Sequence, residues 1–365
     1  MKINILLPYK EKFDVDYASS VSITVKNNLF HSRFLEDIKI FGQNVDNPIL
    51  KNNFVGIKYS ILSFKSKNRF LAKEMLRIIF RSNDKKQLIE IHNRPYLVNY
   101  IYKKTNSLPL SLFFHTDPKT MKGSRTKKER ENILNKCAAI YCVSEYIKQQ
   151  FLDGINIDKQ KVHLLYNGVN RISKQFPIKK KEVVFVGRLV EEKGADIFVD
   201  AIKSIACYYQ DWKFILIGPT NLGKKNKTNF YAHKVSQKFI SIGDQAKFYG
   251  FKDNEFVQNV MKNASIIIIP SRVEAFGLVI AEAMSNGLAI IASNVGAIPE
   301  VLKDNGILIE NINELKLRNS LIKLIENPTI REKFQRKSWK NFKFSSVNSS
   351  KQLDNSREIL FQNYY

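Results

Sequence analysis

Ile266-Ile267-Ile268-Ile269-Pro270-Ser271-Arg272-Val273-Glu274-Ala275-Phe276-Gly277-Leu278-Val279-Ile280-Ala281-Glu282-Ala283-Met284 decides the fold class. The isoleucine run is apolar at consecutive positions, as in a strand covered on both faces, whereas a half-exposed strand would alternate. A helix can begin near Phe276 or Gly277 and run to Asn286, with Gly287 just beyond its end. A buried strand feeding a helix through a polar loop is the repeating piece of an α/β protein.

The same alternation extends along the chain. Apolar runs at Ile3 to Leu7, Leu88 to Ile91, Leu112 to Phe114, Ile140 to Val143 and Val162 to Tyr166 form one series. Val183 to Val186, Phe214 to Ile217, Ile266 to Ile269, Ala289 to Ala292 and Ile307 to Ile309 form a second, and Lys247 to Tyr249 is read as a further strand. Between them Asn167 to Lys181 is polar and marked by Gly168 and Pro177, as a linker would be. The expectation is α/β with two doubly wound, Rossmann-like domains facing across a cleft. Ligands of open α/β sheets bind beyond the carboxyl ends of the strands.

Composition narrows the class. With 365 residues the chain exceeds what one core organises, and 44% hydrophobic and 25% charged residues exclude a disordered or fibrous protein. Three cysteines, Cys137, Cys142 and Cys207, exclude a disulfide scaffold and suit a reducing compartment. The apolar runs fall far short of the roughly 20 residues that span a bilayer. The opening MKINILLPYKEKFD turns charged too soon for a signal-peptide core. A cytoplasmic location follows as an expectation, with or without attachment to a membrane surface. The net charge of +25 suits anionic partners, although lysine is plentiful throughout and an ordinary solvated surface accounts for it equally well.

Two segments carry chemistry. In the first, Glu274 is expected in the loop and Glu282 inside the helix. The amides of Gly277, Leu278 and Val279 have no intrahelical partner, and such a terminus is suited to phosphate. Phosphate-binding amides between two hydroxyl-accepting carboxylates fit a sugar on one side of a diphosphate and a ribose on the other. The plainer alternative makes Glu282 a helix-face charge and Glu274 a dipole-stabilising residue. The second segment is Val183-Val184-Phe185-Val186-Gly187-Arg188-Leu189-Val190-Glu191-Glu192-Lys193-Gly194. It presents Arg188 and Lys193 beyond a strand, two cations able to clamp a diphosphate without a metal. Their plainer alternative is a solvated turn paired with Glu191 and Glu192.

Together, GRLVEEKG from Gly187 and PSRVEAFGLVIAEAMSNG from Pro270 resemble the retaining nucleotide-sugar glycosyltransferases of family 4, which have the GT-B fold. Tyr166-Asn167-Gly168-Val169-Asn170 and Cys142-Val143-Ser144-Glu145 are similar to further stretches of that family. Ile91-His92-Asn93-Arg94-Pro95 and His115-Thr116-Asp117-Pro118 are similar to bacterial members that build lipopolysaccharide and other surface polysaccharides. The resemblance implies residues 1–168 plus about 345–365 as an acceptor-side domain and 169–344 as the donor domain, with the last helix packing back on the first. It implies that Arg188 and Lys193 hold the donor diphosphate, Glu274 the sugar and Glu282 the ribose. The backbone of Phe276, Gly277 and Leu278 would line sugar and phosphates, and Gly250 and Phe251 would receive the base. His115 would face the donor sugar across the cleft, and Ser19, Ser20, His92 and Asn93 would lie on the acceptor side. No cofactor and no metal is implied. The partners are a nucleotide-diphosphate sugar and a glycan or lipid-linked acceptor, with no nucleic acid.

Tyr17-Ala18-Ser19-Ser20-Val21-Ser22 departs from the family, whose members often have glycines here for close backbone approach to an anion. Asp14-Val15-Asp16 spells a metal-binding signature of a different glycosyltransferase architecture, but lacks its strand–helix context. The basic stretch Lys119, Lys122, Arg125, Lys127, Lys128 and Arg130 suggests docking on the inner face of the cytoplasmic membrane. Each cation near an anionic leaflet is worth roughly 1 kcal/mol. An ordinary solvated helix face is the equal alternative. Two further readings stay open: a sugar-nucleotide epimerase on the same architecture, which would need no acceptor, and a basic nucleic-acid-binding protein, for which no module is recognisable.

Overall fold

The structure is a computed structural model that describes residues 1–16, 19–59, 66–82, 84–105, 108–220 and 229–365. Chain contacts divide it into two units: Met1–Gly168 with Phe344–Tyr365, and Val169–Lys343. Each unit is built on one parallel sheet with crossover helices.

The N-terminal unit contains β1 (Lys2–Leu6), β2 (Ile38–Gln43), β3 (Phe54–Ile57), β4 (Gln87–His92), β5 (Leu110–Phe114), β6 (Ala139–Cys142) and β7 (Val162–Leu164). They lie in the order β3-β2-β1-β4-β5-β6-β7. The C-terminal unit contains β8 (Lys180–Val186), β9 (Lys213–Ile217), β10 (Ala246–Gly250), β11 (Ala264–Ile269), β12 (Ala289–Ser293) and β13 (Ile307–Ile309), in the order β10-β9-β8-β11-β12-β13. Every pairing is parallel, with register set by matched apolar runs such as Ile266 to Ile269 against Ala289 to Ala292.

Each of the runs read above as a strand forms one. Two strands, β2 and β3, carry no such signal. Lys39 in β2 is exposed, and edge strand β3 includes the exposed Gly56. An outer strand covered on one side loses the continuous apolar pattern. The supposed linker also ends earlier than expected, because Lys180 and Lys181 already belong to β8. Lys179 is no linker residue either: its ammonium donates to the carbonyls of Met261, Lys262 and Asn286 at 3.3, 3.0 and 2.7 Å. These lie where two helices end, so the cation meets the negative ends of their dipoles, while burial pushes its pKa down to about 7.

The last helix, Ser346–Tyr364, packs on the sheet of the N-terminal unit. Leu353, Leu360 and Phe361 join the core formed by Ile3, Ile5, Val25 and Ile40. Under it Arg357 makes two bonds of 2.8 Å to the carboxylate of Glu90 on β4 and one of 3.1 Å to Asp354. Arg357 and Glu90 are each 1% exposed. Asp354 in turn accepts from the Ser32 hydroxyl and the Arg33 amide at 2.7 and 2.8 Å, which ties the helix to the end of the first crossover. Among the described residues no helix is long and apolar enough to cross a membrane.

Replacing one member of a buried pair strands the other charge, at a cost of about 3–5 kcal/mol. Arg357→Leu should therefore lower the stability of the N-terminal unit by that amount in denaturant unfolding. Adding Glu90→Leu to the same chain should recover part of the loss. If the double variant is no more stable than the single one, the stranded carboxylate is not the cause.

Candidate active site

In the C-terminal unit β8 and β11 are neighbours, but the chain leaves β8 toward β9 and leaves β11 toward β12, in opposite directions. The loops that follow diverge, and open α/β sheets bind ligands at such a switch point. The loop after β8 carries Gly187 to Gly194, and the loop after β11 carries Pro270 to Gly277.

Backbone contacts fix the two loops. Gly194 has φ +67°, and a Cβ there would stand 2.0 Å from the Pro270 carbonyl oxygen, so only glycine permits the approach. The Arg272 amide donates to the Glu192 carbonyl at 2.8 Å, and its guanidinium grips Asp196 with bonds of 3.0 and 2.6 Å. Tyr231 donates its hydroxyl proton to the same Asp196 at 2.7 Å. On the other side Gly296 lies against the Glu274 carbonyl, which accepts the Ala297 amide at 3.1 Å; a Cβ at 296 would come within 2.1 Å of it.

Lys193 Nζ and Glu274 Oε2 consequently meet at 2.5 Å, the side chains 26% and 14% exposed. Lys193 pairs with Glu274 rather than with its sequence neighbours Glu191 and Glu192. Arg188 is exposed and forms no ion pair or side-chain hydrogen bond with the described residues.

The helix after this loop, Leu278–Ser285, starts at Gly277, whose φ is +87°. Its hydrogen-bond ladder begins with the amides of Ile280 and Ala281, both donating to the Gly277 carbonyl, so those of Leu278 and Val279 have no intrahelical partner. The helix closes one residue earlier than expected. Asn286 is the cap, Gly287 has φ +67°, and the amides of Gly287 and Leu288 fold back to Met284 and Ala283. Glu282 faces inward, 8% exposed, and its carboxylate has no hydrogen bond to the described residues. Burial pushes its pKa up to about 7.

Gly250, at the end of β10, has φ +61°, and its carbonyl accepts the Gly218 amide at 2.8 Å. Phe251 beside it is 44% exposed. Gly218 itself packs on Gly187, whose carbonyl a Cβ would approach to 1.8 Å. The carboxyl ends of β8, β9 and β10 are thus drawn together by glycines. Sequence reading passed over Gly218, Gly296 and the Arg272–Asp196–Tyr231 cluster. The only available signal was a glycine directly after a strand.

In the N-terminal unit the switch point lies between β1 and β4. His92 Nδ1 and His115 Nε2 are 2.9 Å apart, and His92 stacks on Phe113 with ring centroids at 4.4 Å. Burial pushes the pKa of His115 down to about 4. Burial, then His115 and Arg357, hold His92 well below its usual range. Both rings are therefore neutral near pH 7, one donating and the other accepting. Asn93 follows with φ +50°, its carbonyl oxygen Oδ1 accepting the His115 amide at 2.8 Å. Ser19 is occupied: its hydroxyl caps the helix Ser20–Leu29, accepting the Ser22 amide at 3.3 Å. Tyr17 and Ala18 of the glycine-free stretch lie outside the described residues.

Asp14 accepts the Asp16 amide at 2.9 Å in a local turn. The basic stretch is smaller than its sequence suggests. Arg130 is 3% exposed and donates to the carbonyls of Phe151, Asp153, Ser124 and Arg125, so it braces the fold instead of facing solvent. Lys119 is paired with Asp153 at 2.8 Å.

Comparison with known proteins agrees with this architecture. Residues 168–341 match the model of glycosyl transferases group 1, and residues 37–171 match that of glycosyltransferase family 4. An uncharacterised glycosyltransferase of Methanocaldococcus jannaschii is 30% identical over 78% of this chain and 75% of its own length. The alpha-D-kanosaminyltransferase of Streptomyces kanamyceticus is 20% identical over 67% of this chain and 63% of its own. Among solved structures, Anabaena HepE in complex with UDP and glucose superposes with a TM-score of 0.75 at 17% identity, covering 98% of this chain and 99% of that one. Sucrose-phosphate synthase of Thermosynechococcus elongatus gives 0.79 at 16% identity, covering all of both chains. The chain belongs to the group 1 glycosyltransferases and has their GT-B fold.

Proposed function

We propose that this glycosyltransferase moves a hexosyl group, with retention and without a metal, from a nucleotide-diphosphate sugar to a glycan or lipid-linked acceptor of the cell envelope. The observation that carries the reading is the Lys193–Glu274 pair beside the open amides of Leu278 and Val279. A diphosphate entering there is met by amides, by Lys193 and by the unengaged guanidinium of Arg188. The sugar's hydroxyls take over Glu274 as Lys193 turns to phosphate, so one ligand replaces both halves of the pair.

In the reaction the acceptor hydroxyl attacks the anomeric carbon, the bond to the phosphate oxygen breaks, and that oxygen receives the acceptor's proton. Negative charge collects on the departing diphosphate, where fixed donors lower the barrier most. Arg188 and Lys193 supply the balancing positive charge in place of a metal ion. The envelope setting is supported by the lipopolysaccharide 1,2-N-acetylglucosaminetransferase of Salmonella typhimurium, 29% identical over 44% of this chain and 45% of its own. HepE is solved with UDP and UDP-glucose, which puts UDP sugars first in a donor screen. The exposed cations Lys122, Arg125 and Lys128 support peripheral attachment to the inner face of the cytoplasmic membrane.

A thermal-shift panel of UDP, GDP, ADP and dTDP sugars selects the donor. Arg188→Ala and Lys193→Ala should each weaken that donor and its free nucleoside diphosphate alike, by about tenfold, the scale of one charge-assisted contact. Glu274→Ala should weaken only the sugar-bearing donor and leave the free diphosphate as tight or tighter, because Lys193 loses its competitor. Identical behaviour of all three variants in calorimetry would remove the role assignment. Product anomers read by NMR test retention, and turnover in excess EDTA tests metal independence.

Glu282 gives the site a pH dependence. Below about pH 7 its carboxyl is protonated; above it the carboxylate can accept two ribose hydroxyls. Affinity for the selected diphosphate sugar, a diester with no proton to lose in this range, should rise from pH 6 to pH 8. In Glu282→Gln the rise should vanish. A profile that the variant leaves unchanged would place the titration elsewhere.

A further inference from the structure

The crevice beyond β1 and β4 holds charged groups that the reading above does not use. Arg94 follows Asn93 at the end of β4 and is half-buried, yet its single hydrogen bond among the described residues runs from NH1 to the Asn93 carbonyl at 2.6 Å. A guanidinium has five N–H donors, so four are unengaged by those residues. Burial lowers the pKa of Arg94, while Tyr96 and Glu11 oppose the shift, which places Glu11 close by. Glu11 lies in the loop after β1, and its Oε2 is buried without a partner among the described residues. Buried polar atoms are ordinarily satisfied, so a carboxylate oxygen and a guanidinium left open at one switch point indicate a ligand.

The surroundings describe that ligand. Tyr9 and Tyr96, from the same two loops, are partly exposed. Asn68 Oδ1 accepts the Tyr9 amide at 2.7 Å, and the Ser66 and Tyr96 hydroxyls are 3.3 Å apart, so both loops are tied to the start of the helix Lys67–Phe80. Lys67 Nζ sits 4.7 Å from the Tyr9 ring centre, and Lys122 Nζ sits 5.9 Å from that of Tyr96. Two ammonium groups therefore stand over the tyrosine rings of the loops that carry Glu11 and Arg94.

We infer that this crevice is an acceptor subsite for a polyhydroxylated ring bearing an anionic group, phosphate or carboxylate. Arg94 binds the anion, Lys67 and Lys122 add attraction, Glu11 accepts a ring hydroxyl, and the tyrosine faces support the ring. The word acceptor rests on the transferase reading; the binding chemistry does not.

Calorimetry on the full chain with glucose 1-phosphate, glucuronate, methyl α-glucoside and acetate tests it. Both charged sugars should bind saturably and at least tenfold more tightly than the neutral glucoside; whichever is tighter names the anionic group. Arg94→Gln should bring them level with the glucoside, and Arg94→Lys should restore part of the preference. Arg188→Ala, in the other unit, should leave both affinities unchanged. Glu11→Ala should narrow the advantage of glucuronate over acetate. Circular dichroism confirms that each variant is folded. The inference is overturned if neutral and charged sugars bind equally, or if Arg94→Gln retains wild-type affinity. If no nucleotide sugar binds the wild type while glucuronate still depends on Arg94, the donor reading falls and the subsite stands.

Discussion

Glycine backbone pressed against carbonyl oxygen is the constraint on which the candidate site of the C-terminal unit depends. Gly194 against Pro270 and Gly296 against Glu274 bring the loops after β8, β11 and β12 closer than any side chain would allow. The ion pair between Lys193 and Glu274 is a consequence of that arrangement and not its cause. A partly exposed pair contributes about 1 kcal/mol or less, whereas a Cβ at 2.0 Å from an oxygen has to displace the backbone. Because the loops are held by backbone, their side chains can exchange partners without moving the frame. A binding site needs that division of labour: rigid positions and a contact weak enough to give way.

Much of this frame was legible in the sequence, for a specific reason. The central strands of both sheets are apolar on both faces, so their runs are continuous and visible. The start of the helix Leu278–Ser285 was visible because Gly277 and the apolar positions after it mark one. Strands β2 and β3 were hidden, since Lys39 and Gly56 face solvent on outer strands and break the run. The site was legible as a set of residue types on two segments, but its internal pairing was not. Nothing local distinguishes Glu274 from Glu191 or Glu192 as the partner of Lys193; the choice is made by the adjacency of β8 and β11.

The N-terminal unit shows the same limit more sharply. Glu90 stands in an otherwise apolar strand, and Arg357 in a polar tail, and neither position announces the other. The pair exists because the last helix returns to the first sheet, and it is dry because Leu353, Leu360 and Phe361 seal it. The charge of Arg357 then reaches His92 and helps keep it neutral. Burial remains the main reason that both histidines beside the N-terminal switch point stay neutral.

The charge surplus can be resolved in the same terms. Arg130 gives its donors to four carbonyls, Lys179 caps the ends of two helices, and Arg357 is enclosed with two carboxylates. These cations are structural, their donors already engaged by the protein's own carbonyls and carboxylates. Counting lysines and arginines therefore says little about partners, and a sequence stretch such as Lys119 to Arg130 overstates the charge it presents. What separates a functional cation from a structural one is the state of its donors. Arg188 and Arg94 stand out because their N–H groups are largely unengaged at the carboxyl ends of strands flanking a switch point. On the proposed reading, the donor's diphosphate and the acceptor's anion are the partners that those donors are left to take.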